Sequence, residues 1–218
     1  MIIRPKFRND NVYHVYNRGV AKQKIFHDEQ DYRHFLFTLS YYREEKLERR
    51  LSKVSSDERN EILSKEPKNP LVEILAYCLM PNHFHLILRQ LTDGGISTFL
   101  RRSMNSYTRA YNTRYNRVGT IFQGRFAAVL IENDEQLLHV CRYNDLNPFV
   151  AKIVKAPKDY EWSSFESNYL HKVSSRLCHP EFVLSIVGSP ERYQKFVEDY
   201  ASYAQDLASI KNKLIDLN

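Results

Sequence analysis

Residues 80–90 read Met-Pro-Asn-His-Phe-His-Leu-Ile-Leu-Arg-Gln, and this stretch constrains the fold more than any other. Side chains on a β-strand alternate between faces, so His83 and His85 lie on one face of a strand. Phe84, Leu86 and Leu88 then point the other way, into a core. A sheet that buries one face and offers two imidazoles on the other is a rigid platform for a divalent ion. His83 and His85 are therefore candidate ligands, although the pattern alone names neither the ion nor its use.

The chain has 218 residues, of which 43% are hydrophobic and 27% charged. These values predict a globular domain able to bury a core. No stretch approaches the ~18 apolar residues of a membrane span, and the N-terminus lacks the long apolar region of a secretory signal. A cytosolic location is the default expectation. Cys78, Cys141 and Cys178 are odd in number and lack CxxC spacing, so they read as buried free thiols.

The formal net charge of +6 favours an anionic partner, and its distribution sharpens this. Between Asp93 and Glu132 there is no acidic residue, while Arg101, Arg102, Arg109, Arg114, Arg117 and Arg125 all fall there. Tyr107, Tyr111, Tyr115, Phe122 and Phe126 are interleaved with them. Arginine tracks phosphates and aromatic rings stack on bases, a composition suited to single-stranded nucleic acid. A basic helix with core aromatics and solvated arginines has the same composition. Asn17 and Arg18, which end the first strand, are further candidate contacts.

Along the chain, Asn11–Asn17 alternates as a strand and Glu29–Glu48 has helical spacing. Residues 49–70 are polar and end in Lys-Glu-Pro-Lys-Asn-Pro, which reads as an insertion outside the core. Leu71–Cys78 and His83–Arg89 form a hairpin across Met80-Pro81-Asn82. A helix runs from about Ile96 to Tyr115, and Phe126–Ile131 is a further strand. Asn133 with Gln136 has capping-box spacing and starts a helix from Asp134 through Tyr143, which Pro148 ends. Two more helices follow, Pro180–Val187 and one from Ser189-Pro190. This order predicts an α+β fold, a mainly antiparallel sheet with helices against one face.

Tyr143 and Asn147 are four residues apart and share a helical face if the last turn holds. A carboxamide oxygen suits Mg2+ or Mn2+. A tyrosine hydroxyl attacks a phosphate without an adjacent base when an ion draws charge from that phosphate. His83, His85, Asn147 and Tyr143 are thus a candidate set for cleaving a phosphodiester.

Three segments, Tyr-Cys-Leu-Met-Pro-Asn-His-Phe-His-Leu-Ile-Leu, the Arg-rich run from Asn105 to Phe126, and Leu137–Val154, occur in an order that resembles the HUH single-tyrosine transposases. The closest branch is the REP-associated tyrosine transposases. Tyr13-His14-Val15-Tyr16-Asn17-Arg18-Gly19 and Asp159–Phe165 fit it too, so the resemblance covers about residues 11–170. It implies a ferredoxin/RRM-like antiparallel sheet (the HUH endonuclease fold) in residues 1–155, with a C-terminal helical extension over 156–218. It also implies Tyr143 as nucleophile, and His83, His85 and Asn147 as ligands of Mg2+ or Mn2+. The implied activity is cleavage and rejoining of single-stranded DNA near a hairpin through a 5′-phosphotyrosine. The setting would be bacterial and nucleoid-associated, and the protein a monomer or homodimer.

A non-catalytic hairpin-binding regulator derived from such a transposase is the alternative. An RNA-binding domain of similar sheet topology is a third reading. Tyr107, Tyr111 and Tyr115 recur one helical turn apart, as core or stacking residues or as an alternative nucleophile row. His14 is a candidate to line the cleft, His139 to act as a proton relay or simply as a packed or surface residue, and Glu73 and Glu132 to stand outside the ligands or at the surface.

Overall fold

A computed structural model describes residues 5–170 and 176–206. Four antiparallel strands, β1 (Val12–Arg18), β2 (Val72–Met80), β3 (His83–Gln90) and β4 (Ala127–Ile131), form one sheet in the order β2-β3-β1-β4. With α1 (Glu29–Tyr42) between β1 and β2, and α3 (Gly95–Arg114) between β3 and β4, this is the ferredoxin/RRM-like arrangement. The short α2 (Ser56–Ser64) lies between α1 and β2. After β4 come α4 (Asp134–Val150), α5 (Glu181–Val187) and α6 (Pro190–Glu198).

Alternation sorts the central strands as the sequence predicts. Tyr13 and Val15 on β1, and Phe84, Leu86 and Leu88 on β3, are fully buried on one face. That face is covered by α1 and α3: Phe35 packs on Phe84 at 5.3 Å and on Tyr107 at 4.9 Å between ring centroids.

The helices do not keep to one face, contrary to the sequence expectation. The α4 helix packs on β2 and brings Tyr143 to the opposite face, against His14 and His85. It is backed by α6, whose Tyr193 and Val197 are fully buried. The α4 helix has an apolar side for the sheet and another for α6, so no single stripe identifies its partner.

Two boundaries also moved. The α1 helix stops at Tyr42, not Glu48, because Arg43 turns inward. It is 1% exposed, donates to the Leu177 carbonyl and lies 2.9 Å from His179 Nε2. Glu44 then accepts from the backbone amides of Lys68 and Asn69, closing the loop that holds 49–70. Within that segment Leu51 and Val54 are buried, so the insertion contributes apolar side chains after all. The α4 helix continues through Pro148 to Val150, and the Ala151 backbone N–H caps it by donating a hydrogen bond to the Asn147 carbonyl at 2.9 Å. A proline this near a helix end removes one backbone hydrogen bond, and the turns before and after it hold.

All three cysteines are free and buried, as expected. Among the described residues no helix is long and apolar enough to cross a membrane.

Candidate active site

The register of β1 against β3 sets the floor of the site. Tyr16 pairs with His85, Arg18 with His83 and His14 with Ile87 across β1 and β3. His14, Tyr16 and Arg18 therefore share the face that carries His83 and His85. Gly19 follows, and its backbone turns so tightly that an added Cβ would lie 2.2 Å from the Gln23 carbonyl oxygen. The Gly19 amide donates to the Asn82 carbonyl at 2.8 Å, tying the end of β1 to the turn before His83.

Each histidine is held by its Nδ1. His83 Nδ1 lies 2.6 Å from Oδ1 of Asn82, whose amide nitrogen donates to the Lys22 carbonyl at 3.2 Å. A carbonyl oxygen only accepts, so His83 carries its proton on Nδ1 and leaves Nε2 bare. His85 Nδ1 lies 2.9 Å from His14 Nε2. The His83 and His85 rings are 5.0 Å apart. Burial pushes the imidazoles of His14 and His83 down to about 4, and Arg18 adds to the effect at His83. His85 is lowered further, by burial and then by His14 and His83. All three are neutral near pH 7, the form in which imidazole donates a lone pair.

Tyr143 comes to this floor from α4, its ring 5.8 Å from His85 and 6.3 Å from His14, edge-on to both. It is 54% exposed at the mouth of the site. Surrounding packing raises its pKa, against lowering by the Asn147 side chain and Arg18. Asn147 lies on the same helix one turn later, and its buried amide nitrogen has no hydrogen-bond partner of good geometry. Exchange of amide oxygen and nitrogen would put a free carbonyl there, as an ion ligand requires. Among the described residues no three His, Cys, Asp or Glu side chains are placed to share an ion. An ion held by His83 and His85 would therefore need a third protein ligand of another type, and the Asn147 carboxamide is the candidate.

The arginines divide. Arg18 stands by the histidines. Arg101, Arg109 and Arg125 are exposed, and Arg117 lies over the Tyr111 ring at 5.8 Å. Arg114 is bound to Asp28 and Asp31 at the start of α1, and Arg102 donates to the carbonyls of Glu44 and Glu45. Asn17 is 5% exposed and donates to the Gly124 carbonyl. The α3 helix is on the sheet face opposite Tyr143, so its arginines do not join the histidine cleft.

Other candidates are engaged elsewhere. The hydroxyls of Tyr107, Tyr111 and Tyr115 meet the Ile25 carbonyl, His27 and Asp31 respectively. His139 bonds to Arg142, which lies over the Phe196 and Tyr200 rings. Glu73 pairs with Arg89 at 2.9 Å, and Glu132 is exposed. Sequence reasoning missed Asn82, whose only signal was its place directly before His83. It also missed Asp145, fully buried on α4 and bonded to Tyr193.

Residues 29–145, more than half the chain, match the family described as Transposase IS200 like. A Haemophilus influenzae protein named as a REP-associated tyrosine transposase is 30% identical over 105 residues, 43% of this chain. The match spans 58% of that relative's length. A solved structure of a REP-associated tyrosine transposase bound to a REP hairpin superposes with a TM-score of 0.56. It is 18% identical and aligns over 82% of this chain and 92% of its own, which establishes a shared fold. With more than half its length matched to one family, the chain belongs to the IS200-like transposases.

Proposed function

We propose that this protein is a metal-dependent single-stranded DNA endonuclease and strand transferase acting near hairpins, with Tyr143 as nucleophile. One observation carries the reading. A tyrosine on α4 stands 5.8 Å from His85, which is flanked by His83, and both imidazoles are neutral. His83, His85 and Asn147 would hold Mg2+ or Mn2+. All three ligands are uncharged, so the ion would keep its full charge for the scissile phosphate and stabilise the crowded transition state.

The Tyr143 oxygen attacks phosphorus, and the bond from phosphorus to the 3′ oxygen breaks. The Tyr143 hydroxyl gives up its proton to solvent at the exposed mouth, and the products are a 5′-phosphotyrosine and a 3′ oxygen that takes up a proton in turn. The tyrosine ester conserves the phosphodiester bond, so the 3′-hydroxyl can reverse the step without a nucleotide cofactor. Burial raises the Tyr143 hydroxyl's pKa, while the positive charge of Arg18 favours its ionised form. Arg18 also stands where it can meet a phosphate of the substrate. The exposed Arg101, Arg109 and Arg125, with the half-buried Arg117, would hold flanking DNA outside the cleft while the scissile phosphate enters it.

The test uses labelled hairpin DNA with Mn2+, resolved under denaturing conditions. Wild type should give a covalent adduct and Tyr143→Phe none, with hairpin binding retained. An adduct with Tyr143→Phe overturns the nucleophile. Hairpin binding with no wild-type adduct across a pool of hairpins favours the non-catalytic regulator instead.

A further inference from the structure

Three imidazoles line the cleft, and the ion site just proposed uses two. The third, His14, places Nε2 2.9 Å from Nδ1 of His85, with the rings inclined by 19° and centroids 5.1 Å apart. Two neutral imidazoles in such a contact share one proton. One nitrogen donates and the other accepts.

The direction of that bond matters for His85. If His14 donates, His85 carries its own proton on Nε2 and has no lone pair there for an ion. If His85 donates from Nδ1, its Nε2 is bare. His83 shows which sense matches its neighbour, because Asn82 Oδ1 obliges His83 to donate from Nδ1. We propose that His14 does for His85 what Asn82 does for His83: it accepts the Nδ1 proton, so both ligands present Nε2 to one ion.

His14 is then a positioning residue, acting through His85 and not on the substrate. The strand register supports the pairing. His14 faces Ile87 and Tyr16 faces His85, so His14 reaches His85 on the diagonal. The Tyr16 ring, 5.3 Å from His14 and 5.8 Å from His85, closes the third side and restrains both rings. Partners that fix a ligating histidine's tautomer typically change metal affinity by about 10–100-fold when removed.

This inference rests on His83 and His85 being ligands, and the experiment separates the two claims. Mn2+ binding is read by electron paramagnetic resonance, without DNA, for wild type, His14→Phe and His14→Gln. Nitrogen-15 NMR of the metal-free proteins reads the His85 tautomer, and thermal melting establishes that each variant folds. His14→Phe keeps a ring and loses the acceptor, so its affinity for Mn2+ should fall about 10–100-fold. His14→Gln keeps an acceptor oxygen and should bind close to wild type. The His85 proton should sit on Nδ1 in wild type and in His14→Gln.

Unchanged Mn2+ affinity in His14→Phe, with wild type binding, overturns the role of His14 and leaves the ion site standing. A His14→Gln protein that is folded but as weak as His14→Phe also overturns it. Wild type that binds no Mn2+ overturns the ion site and this inference together.

Discussion

The Tyr193 hydroxyl on α6 donates to Oδ2 of Asp145 at 2.6 Å, two residues beyond Tyr143 on α4. Both residues are fully buried. The second carboxylate oxygen accepts from the Asn144 amide at 3.3 Å. The helix that presents Tyr143 is thus held to the sheet on one side and to α6 on the other.

Tyr193→Phe should leave this carboxyl short of one partner, at a cost of about 1–3 kcal/mol. For a chain of this size that lowers the thermal midpoint by roughly 3–10 °C. A melting curve indistinguishable from wild type would mean that the bond contributes nothing.

Burial raises the Asp145 carboxyl from 3.8 to about 7, against lowering by its bonds to Tyr193 and Asn144. A raised folded-state pKa means that the folded form holds its proton longer than the unfolded form. The contribution to stability is complete below about pH 4 and is lost as pH rises through about 7. Asp145→Asn removes this dependence. Its midpoint, measured relative to wild type, should climb between pH 4 and 7 by the equivalent of roughly 2–4 kcal/mol, then level off. Taking the difference cancels the histidines, whose lowered values work in the opposite sense. A difference that is flat across this range would contradict a neutral Asp145.

Arg18 should behave differently from the α3 arginines. Arg18→Ala should slow adduct formation at saturating DNA, since it removes charge beside His83 and Tyr143. Replacing Arg101 and Arg109 by Ala should instead weaken binding and reduce its salt slope by about one per lost phosphate contact. Adduct formation at saturating DNA should stay near wild type in that pair. If the two sets have the same signature, the division between cleft and helix is wrong.

Gly19→Ala forces a Cβ to 2.2 Å from the Gln23 carbonyl oxygen and 3.0 Å from Ile25. The turn must open, at roughly 1–3 kcal/mol. It also supplies the Lys22 carbonyl that orients Asn82. Mn2+ affinity should fall along with stability, and a variant that melts early but binds Mn2+ normally would uncouple the turn from His83.

Local pattern made the sheet legible. Alternation around His83–Arg89 placed the histidines on one face, and Ser189-Pro190 marked the start of α6. Other features depend on partners distant in sequence. Arg43 sits in a helical run and turns inward only because Leu177, His179 and Glu66 meet it. Pro148 reads as a stop, yet so near the helix end it removes little, and Asn147 stays on the face of Tyr143. Asp145 is an ordinary acidic residue until Tyr193 is brought to it from 48 positions away. The acid-free arginine stretch showed charge but not side, and the sheet separates most of it from Tyr143.

That separation has a thermodynamic consequence. Substitutions that share no partner and lie on opposite faces of a sheet have free-energy effects that add. Changes on the outer surface of α3 and changes among His83, His85 and Tyr143 should form a double-mutant cycle with almost no coupling. If the proposed function holds, grip on DNA and chemistry at the phosphate would be two nearly independent quantities in this fold, and either could drift without the other having to follow.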